Sequence, residues 1–187
     1  MLDTVKNAPV NGLDLAALGE TVEAVEKDAS LALVGFDVTT RWTGQTRSET
    51  TVAGYTLAGE RIARRHTIVA DEPCELLGAD TAPNPQELLM AAFNSCITVG
   101  YVAGASLKGI NLTSLEIETR GQLDLRGFLG LSDAVPPGYE SIDYQVRIAG
   151  DGSAADFEDI HRTVMATSPN YFNLSRPIKM NGTLKIS

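Results

Sequence analysis

The sequence predicts an α+β fold in which antiparallel strands accompany one long, apolar helix. Three observations predict it. Apolar residues alternate along 34–42 and again along 115–125 and 142–148, the period of strands with one covered face. Between those stretches, shortly after Asn84-Pro85, an uncharged and largely apolar run covers residues 88–107, too long for a strand. The composition, 43% hydrophobic and 21% charged, is that of a globular chain with a core, and 187 residues suffice for one domain with an appendage.

In chain order, Val22 and Val25 mark an amphipathic helix over residues 13–28, with Glu20, Glu23 and Glu26 turned outward. We read residues 1–30 as a helical extension and 31–187 as the main domain. Val34, Phe36, Val38, Thr40 and Trp42 form the first strand. Two more are expected over residues 49–57 and 61–70, turning at Ala58-Gly59, so that the three make an antiparallel meander.

Residues 78–85 read as a loop. Asn84 then acts as N-cap, Pro85 suits the first helical position and Glu87 falls where a capping-box carboxylate reaches back. The helix should end at Gly109. Leu89, Phe93, Cys96, Gly100 and Ala103 share one face, but the opposite face is apolar too, so protein should wrap the helix on nearly all sides. Leu115, Ile117, Thr119, Gly121, Leu123 and Leu125 pair with Ile142, Tyr144, Val146 and Ile148 in the next two strands. The intervening residues 126–139 hold Phe128, Leu129 and Leu131, and a loop this apolar packs on a partner chain or lies over a pocket. Phe157, Ile160 and Val164 mark a further helix ended by Ser168-Pro169, and residues 178–186 are expected as a last strand.

Charge narrows the choice of partners. With 15 Lys and Arg against 24 Asp and Glu, the net charge is −9, which repels nucleic-acid phosphates and anionic lipid. The cluster Arg61, Arg64, Arg65 and His66 is short and reads as a solvated strand face or as ion-pair partners. Residues 88–107 are long enough to span a bilayer, but Asn94, Ser95, Thr98, Gly100, Gly104 and Ser106 dilute their apolarity, and a buried core helix is expected there instead. Residues 1–10 have no apolar signal core, so a signal peptide is not expected. The two cysteines fit neither a zinc site nor a secreted disulfide framework, and a reducing cytoplasm is the expected setting.

Few residues offer chemistry. Cys96, near the middle of the long helix, is a candidate nucleophile, although a buried cysteine also serves as a small hydrophobe. Cys74 sits among Asp71, Glu72 and Glu75, whose charge opposes thiolate formation. His66 and His161 are distant in sequence, and a cysteine–histidine dyad has no support. Nucleotide-binding loops, metalloprotease signatures and serine-hydrolase elbows do not occur, and no cofactor or metal is expected.

The run Gly78-Ala79-Asp80-Thr81-Ala82-Pro83-Asn84-Pro85-Gln86-Glu87-Leu88-Leu89, continued by Ala91-Ala92-Phe93-Asn94-Ser95-Cys96, resembles the signature of the OsmC/Ohr superfamily, where Asn-Pro opens a long helix carrying a reactive cysteine at this distance. Trp42-x-Gly44, Gly109-Ile110 and Ser168-Pro169 extend the similarity over roughly residues 36–186. The resemblance implies an OsmC-like intertwined homodimer, with two central helices packed between six-stranded sheets. It also implies reduction of organic hydroperoxides, or binding of another small apolar ligand, with Cys96 as thiolate and an external thiol as reductant. Gln86 stands where the peroxidases carry a glutamate, and Ser168 where they carry a resolving cysteine. The activating arginine is matched by Arg41, Arg47 or Arg65. These substitutions place the chain nearest the one-cysteine branch, with Cys96, Ser168 and Gln86 as its site residues.

Overall fold

The computed structural model describes residues 9–186; residues 1–8, where most of the expected leaderless start falls, lie outside the described residues. The chain forms two compact units that meet within one helix, residues up to 91 and residues from 92 onward.

In the first unit, helix α1 (Leu15–Lys27) is capped by Asp14, whose carboxylate accepts from the Ala16 and Ala17 N–H groups, and it buries no residue. Strands β1 (Val34–Phe36), β2 (Thr39–Gly44), β3 (Arg47–Leu57) and β4 (Glu60–Ala70) follow. Both β1 and β2 pair antiparallel with one side of β3, and β4 pairs with the other. The single expected strand over 34–42 is therefore broken between Phe36 and Thr39. Ala58 and Gly59, both at positive φ, make the β3–β4 turn, a geometry whose twist matches that of the strands it joins.

The expected meander is present, but its apolar face is open in the single chain. Phe36, Val38 and Trp42 are all well exposed, and every buried hydrophobic residue among those described lies at position 93 or beyond. Val22 also faces solvent rather than a core. The basic cluster on β4 is exposed as expected, with Arg61 paired to Asp37 and Arg64 stacked over Tyr55.

Helix α2 (Pro85–Leu107) begins in the first unit and continues into the second. It is long and apolar enough by composition to cross a bilayer, yet it buries Phe93, Ile97, Tyr101, Ala105 and Ser106 against its own unit. The expectation that protein wraps it on all sides is not met within one chain, because Val99 and Leu107 remain about two-thirds exposed. Beyond α2 come β5 (Leu112–Gly121), α3 (Leu125–Phe128), β6 (Ile142–Gly150), α4 (Ala154–Thr167) and α5 (Pro169–Ser175). The β5–β6 register pairs Leu115 with Ile148, Ile117 with Val146 and Thr119 with Tyr144, so the faces read from the alternation coincide. The core joins α2, this sheet and the Ile160–Val164 face of α4. Contact between the helices relies on small residues: a Cβ at Gly100 would lie 3.1 Å from the Val164 methyls, and one at Gly104 would lie 3.0 Å from Ile160.

Two expectations need correction. Leu123 falls outside the sheet and Leu125 opens the short helix α3, because Asp124 caps it through the Arg126 N–H and ends the alternation. Residues 178–186 form no strand: among the described residues no strand pairs with them, and a strand without a neighbour cannot satisfy its backbone groups. Their apolar residues at alternate positions, Ile178, Met180, Leu184 and Ile186, stay exposed.

Candidate functional site

The start of α2 is built as its sequence dictates. The Asn84 side-chain oxygen accepts from the Gln86 N–H at 2.7 Å, and Glu87 reaches back to accept from the Asn84 N–H at 2.8 Å. Glu87 thus reaches back as read from the sequence, while the Asn84 oxygen takes the N–H of the second helical residue. What holds the preceding loop was not foreseen. Asp71, almost fully buried, accepts from the hydroxyls of Thr46 and Thr81, both at 2.8 Å, and from the backbone N–H groups of Glu72, Ala79 and Thr81. The hydroxyls of Thr46 and Thr81, then the Thr81 and Glu72 N–H groups, hold its carboxyl well below the usual range despite burial. Gly78 closes the loop because a Cβ there would lie 1.7 Å from the Glu72 carbonyl oxygen. An aspartate between strand and loop looks like ordinary turn chemistry, so only its five donors reveal its role.

Cys96 lies three turns into α2, half-buried, as a free thiol. Its sulfur sits 3.4 Å from the Ser168 hydroxyl oxygen. Ser168 is almost fully buried and occupies the corner between α4 and α5: its N–H donates to Val164, ending α4, and its hydroxyl oxygen accepts from the Tyr171 N–H at 3.3 Å, opening α5. With the oxygen engaged as acceptor there, the hydroxyl hydrogen is free to point at sulfur. Asn170 fastens the corner by donating to the Ala92 carbonyl, one turn before Cys96, at 2.8 Å. Asn94, on the following turn, donates to the Ile117 carbonyl and accepts from the Thr119 hydroxyl at 2.5 Å, which ties α2 to β5. The cysteine is thus held in a turn of helix pinned from two sides.

The structure brings Cys96 and Ser168 together but leaves Gln86 apart. Gln86 is exposed in the first turn of α2, and ten helical residues separate it from Cys96, roughly 15 Å along the axis. Of the first unit's candidate arginines, Arg47 donates to Glu49 at 2.7 Å and to Thr43 at 3.2 Å, while Arg41 and Arg65 are exposed and form no ion pair among the described residues. Arg65 falls where the β3–β4 register shifts between the Val52–His66 and Gly54–Ala63 pairs, a bulge of the kind that re-aims side chains. Cys74, exposed and also free, begins a short 3-10 turn in the first unit.

The apolar loop after β5 folds on itself. A Cβ at Gly127 would lie 2.3 Å from the Pro136 carbonyl, and the loop borders a cavity of about 800 Å3 lined by Leu123, Leu125, Val135 and Pro136 among others. Phe128, Leu129 and Leu131 point away from the chain's own core and are exposed. Groups of acidic, histidine and cysteine side chains able to hold a metal do not occur among the described residues.

The family model described as OsmC-like protein matches residues 78–182, more than half of the chain, from the loop before Asn84 through the Ser168 corner. The chain belongs to the OsmC-like family. Solved structures agree with the fold. The OsmC-like protein of Mycoplasma pneumoniae aligns with a TM-score of 0.56 at 15% identity, covering 75% of this chain and 86% of that one. An OsmC-like protein of unknown function from Vibrio cholerae aligns with a TM-score of 0.54 at 12% identity, covering 73% and 90% respectively. At these identities the likeness is one of fold alone: an OsmC-like α+β architecture with antiparallel sheets and a long helix. A search of the curated proteins finds no match.

Proposed function

We propose that the protein is a thiol-dependent reductase of organic hydroperoxides acting through Cys96, a one-cysteine member of its family. The observation that carries this reading is the Ser168 hydroxyl held 3.4 Å from the Cys96 sulfur, in the family-matched segment. The Cys96 thiolate attacks the distal oxygen of ROOH, the S–O bond forms as the O–O bond breaks, and the alkoxide leaves as ROH after taking a proton. Ser168 donates a hydrogen bond to the thiolate and then to the departing oxygen. The resulting sulfenic acid condenses with one equivalent of an external thiol, releasing water. A second thiol reduces the mixed disulfide, restoring Cys96 and carrying away the oxidising equivalents as a disulfide. A reducing, cytoplasmic setting supplies those thiols.

A second reading, a non-catalytic binder of small apolar ligands, is favoured by one observation. Gln86 replaces the acidic residue the peroxidases use and stands exposed. Peroxide consumption separates the readings. Purified protein with cumene hydroperoxide and dithiothreitol or dihydrolipoate should turn over, and Cys96→Ser should not. Wild-type protein no faster than the variant would favour the binder.

The working unit we propose is a homodimer. The first unit buries no hydrophobic side chain among its described residues, Val99 and Leu107 of α2 are open, and residues 178–186 carry an unpaired alternating apolar pattern. A second copy would supply the missing cover. Residues 1–30 are proposed as an extension to the OsmC-like body over 31–187, since α1 buries nothing.

A further inference from the structure

An open groove of about 400 Å3 runs along the surface of the second unit, lined by Tyr101 of α2, Val146 and Ile148 of β6, and Phe157, Glu158, His161 and Arg162 of α4. Its volume is in the range that holds small organic molecules. The proposed thiol chemistry uses none of these residues.

Tyr101 is a buried phenol whose hydroxyl is hydrogen-bonded to Nδ1 of His161 on the exposed face of α4. The two rings stack with centroids 6.1 Å apart. Burial, with a smaller contribution from Tyr144, pushes the phenol up to about 12, so it stays protonated. A neutral phenol can donate or accept, so the imidazole Nε2 can present either an N–H or a lone pair to a ligand.

Charge around the groove selects the ligand. Arg162 is engaged by Asp159 at 3.0 Å, and Lys108 is engaged by the same Asp159 at 2.8 Å and by Asp156 at 3.6 Å. These two cations and two carboxylates balance. Glu158 remains, with no ion pair among the described residues, beside the apolar wall of Val146, Ile148 and Phe157. A carboxylate ligand would meet a compensated arginine and an uncompensated glutamate. An organic cation would meet the same two groups with the opposite outcome, drawn by Glu158 and little repelled by the compensated arginine, in a chain of net charge −9.

We propose that this groove binds a small apolar amine, with its hydrocarbon body against Val146, Ile148 and Phe157 and its ammonium group between Glu158 and the Nε2 of His161. Occupancy does not require Cys96, so the Cys96→Ser protein binds equally.

Three probes of one shape test it on the full chain by calorimetry at low salt: 2-phenylethylammonium, 2-phenylethanol and 3-phenylpropanoate. The amine should bind saturably, the alcohol roughly fivefold more weakly, and the acid not at all. Glu158→Gln, an exposed change that leaves the core untouched, should bring the amine to the alcohol's affinity, roughly a fivefold loss that shrinks in high salt. The chain has only two histidines. The amine should therefore shift the His161 ring signals in NMR spectra, identified by comparison with His66→Gln, and leave those of His66 in place. Equal binding of all three probes, no saturable binding of the amine, no effect of Glu158→Gln, or unmoved His161 signals would each overturn the proposal.

Discussion

Ser168 has two duties that a single substitution separates. In Ser168→Ala the Tyr171 N–H loses its acceptor and the Cys96 sulfur loses its neighbouring hydroxyl. The first loss is an N-cap loss, about 1 kcal/mol of stability, which in a chain of this size lowers Tm by about 2–4 °C. The second acts on the reaction. A hydrogen bond to a charged group is worth about 1.5–3 kcal/mol, so losing it from the thiolate and the departing alkoxide should slow peroxide reduction by roughly ten- to hundredfold. Ser168→Thr keeps a hydroxyl at the same corner and should restore most of the stability and most of the rate.

The assay is single-turnover loss of cumene hydroperoxide by pre-reduced protein, with thermal unfolding followed on the same samples. If Ser168→Ala unfolds a few degrees earlier but reduces peroxide at the wild-type rate, the hydroxyl is a helix cap and nothing more. If both variants lose activity in proportion to lost folded protein, the argument also fails. Only a rate loss beyond the stability loss, rescued by threonine, supports a hydroxyl acting on sulfur.

Other outcomes follow from particular groups. The Asp71 carboxyl titrates lower in the folded chain than its ordinary value near 3.8, so the stability it contributes is complete above that value and is lost as pH falls below it. Asp71→Asn should be less stable at neutral pH and should flatten the acid limb of the stability curve, read by denaturant unfolding between about pH 2 and 6. Analytical ultracentrifugation at micromolar concentration should find a dimer, and a stable monomer would leave the exposed apolar strands unexplained. One equivalent of hydroperoxide with a sulfenate trap should label Cys96, whereas a Cys74–Cys96 linked peptide, lost together with turnover in Cys74→Ser, would make Cys74 a resolving thiol.

What could be read from the sequence was what short-range chemistry determines. The start of α2 was legible because Asn84, Pro85 and Glu87 each satisfy or excuse a backbone donor within one turn. The pairing of β5 with β6 was legible because alternation fixes which side chains share a face, and any shift by one residue would expose them. Features that depend on distant partners were not. The five donors on Asp71 come from Thr46 and from residues 72–81, and no local pattern announces that convergence. The pairing of Tyr101 with His161 joins residues sixty positions apart, and no local pattern links the two. Residues 178–186 show the reverse failure: the apolar pattern suggested a strand but could not say that no described strand pairs with it.

The Ser168 corner also shows why the thiol's surroundings depend on the fold rather than on a motif. One residue ends α4 with its N–H and opens α5 with its hydroxyl, so its position is set by two helix termini at once. Pro169 fits because the first position of a helix needs no N–H, and Asn170 then reaches the Ala92 carbonyl on the turn before Cys96. Any shift of α4 along α2 would have to move Val164 and Ile160 off the glycines at 100 and 104, against which they pack too closely for a Cβ. The separation between sulfur and hydroxyl is therefore tied to the packing of the whole second unit. Substitutions at Gly100 or Gly104 that force the helices apart should disturb the Cys96–Ser168 contact from one or two turns away, with neither residue of the pair altered.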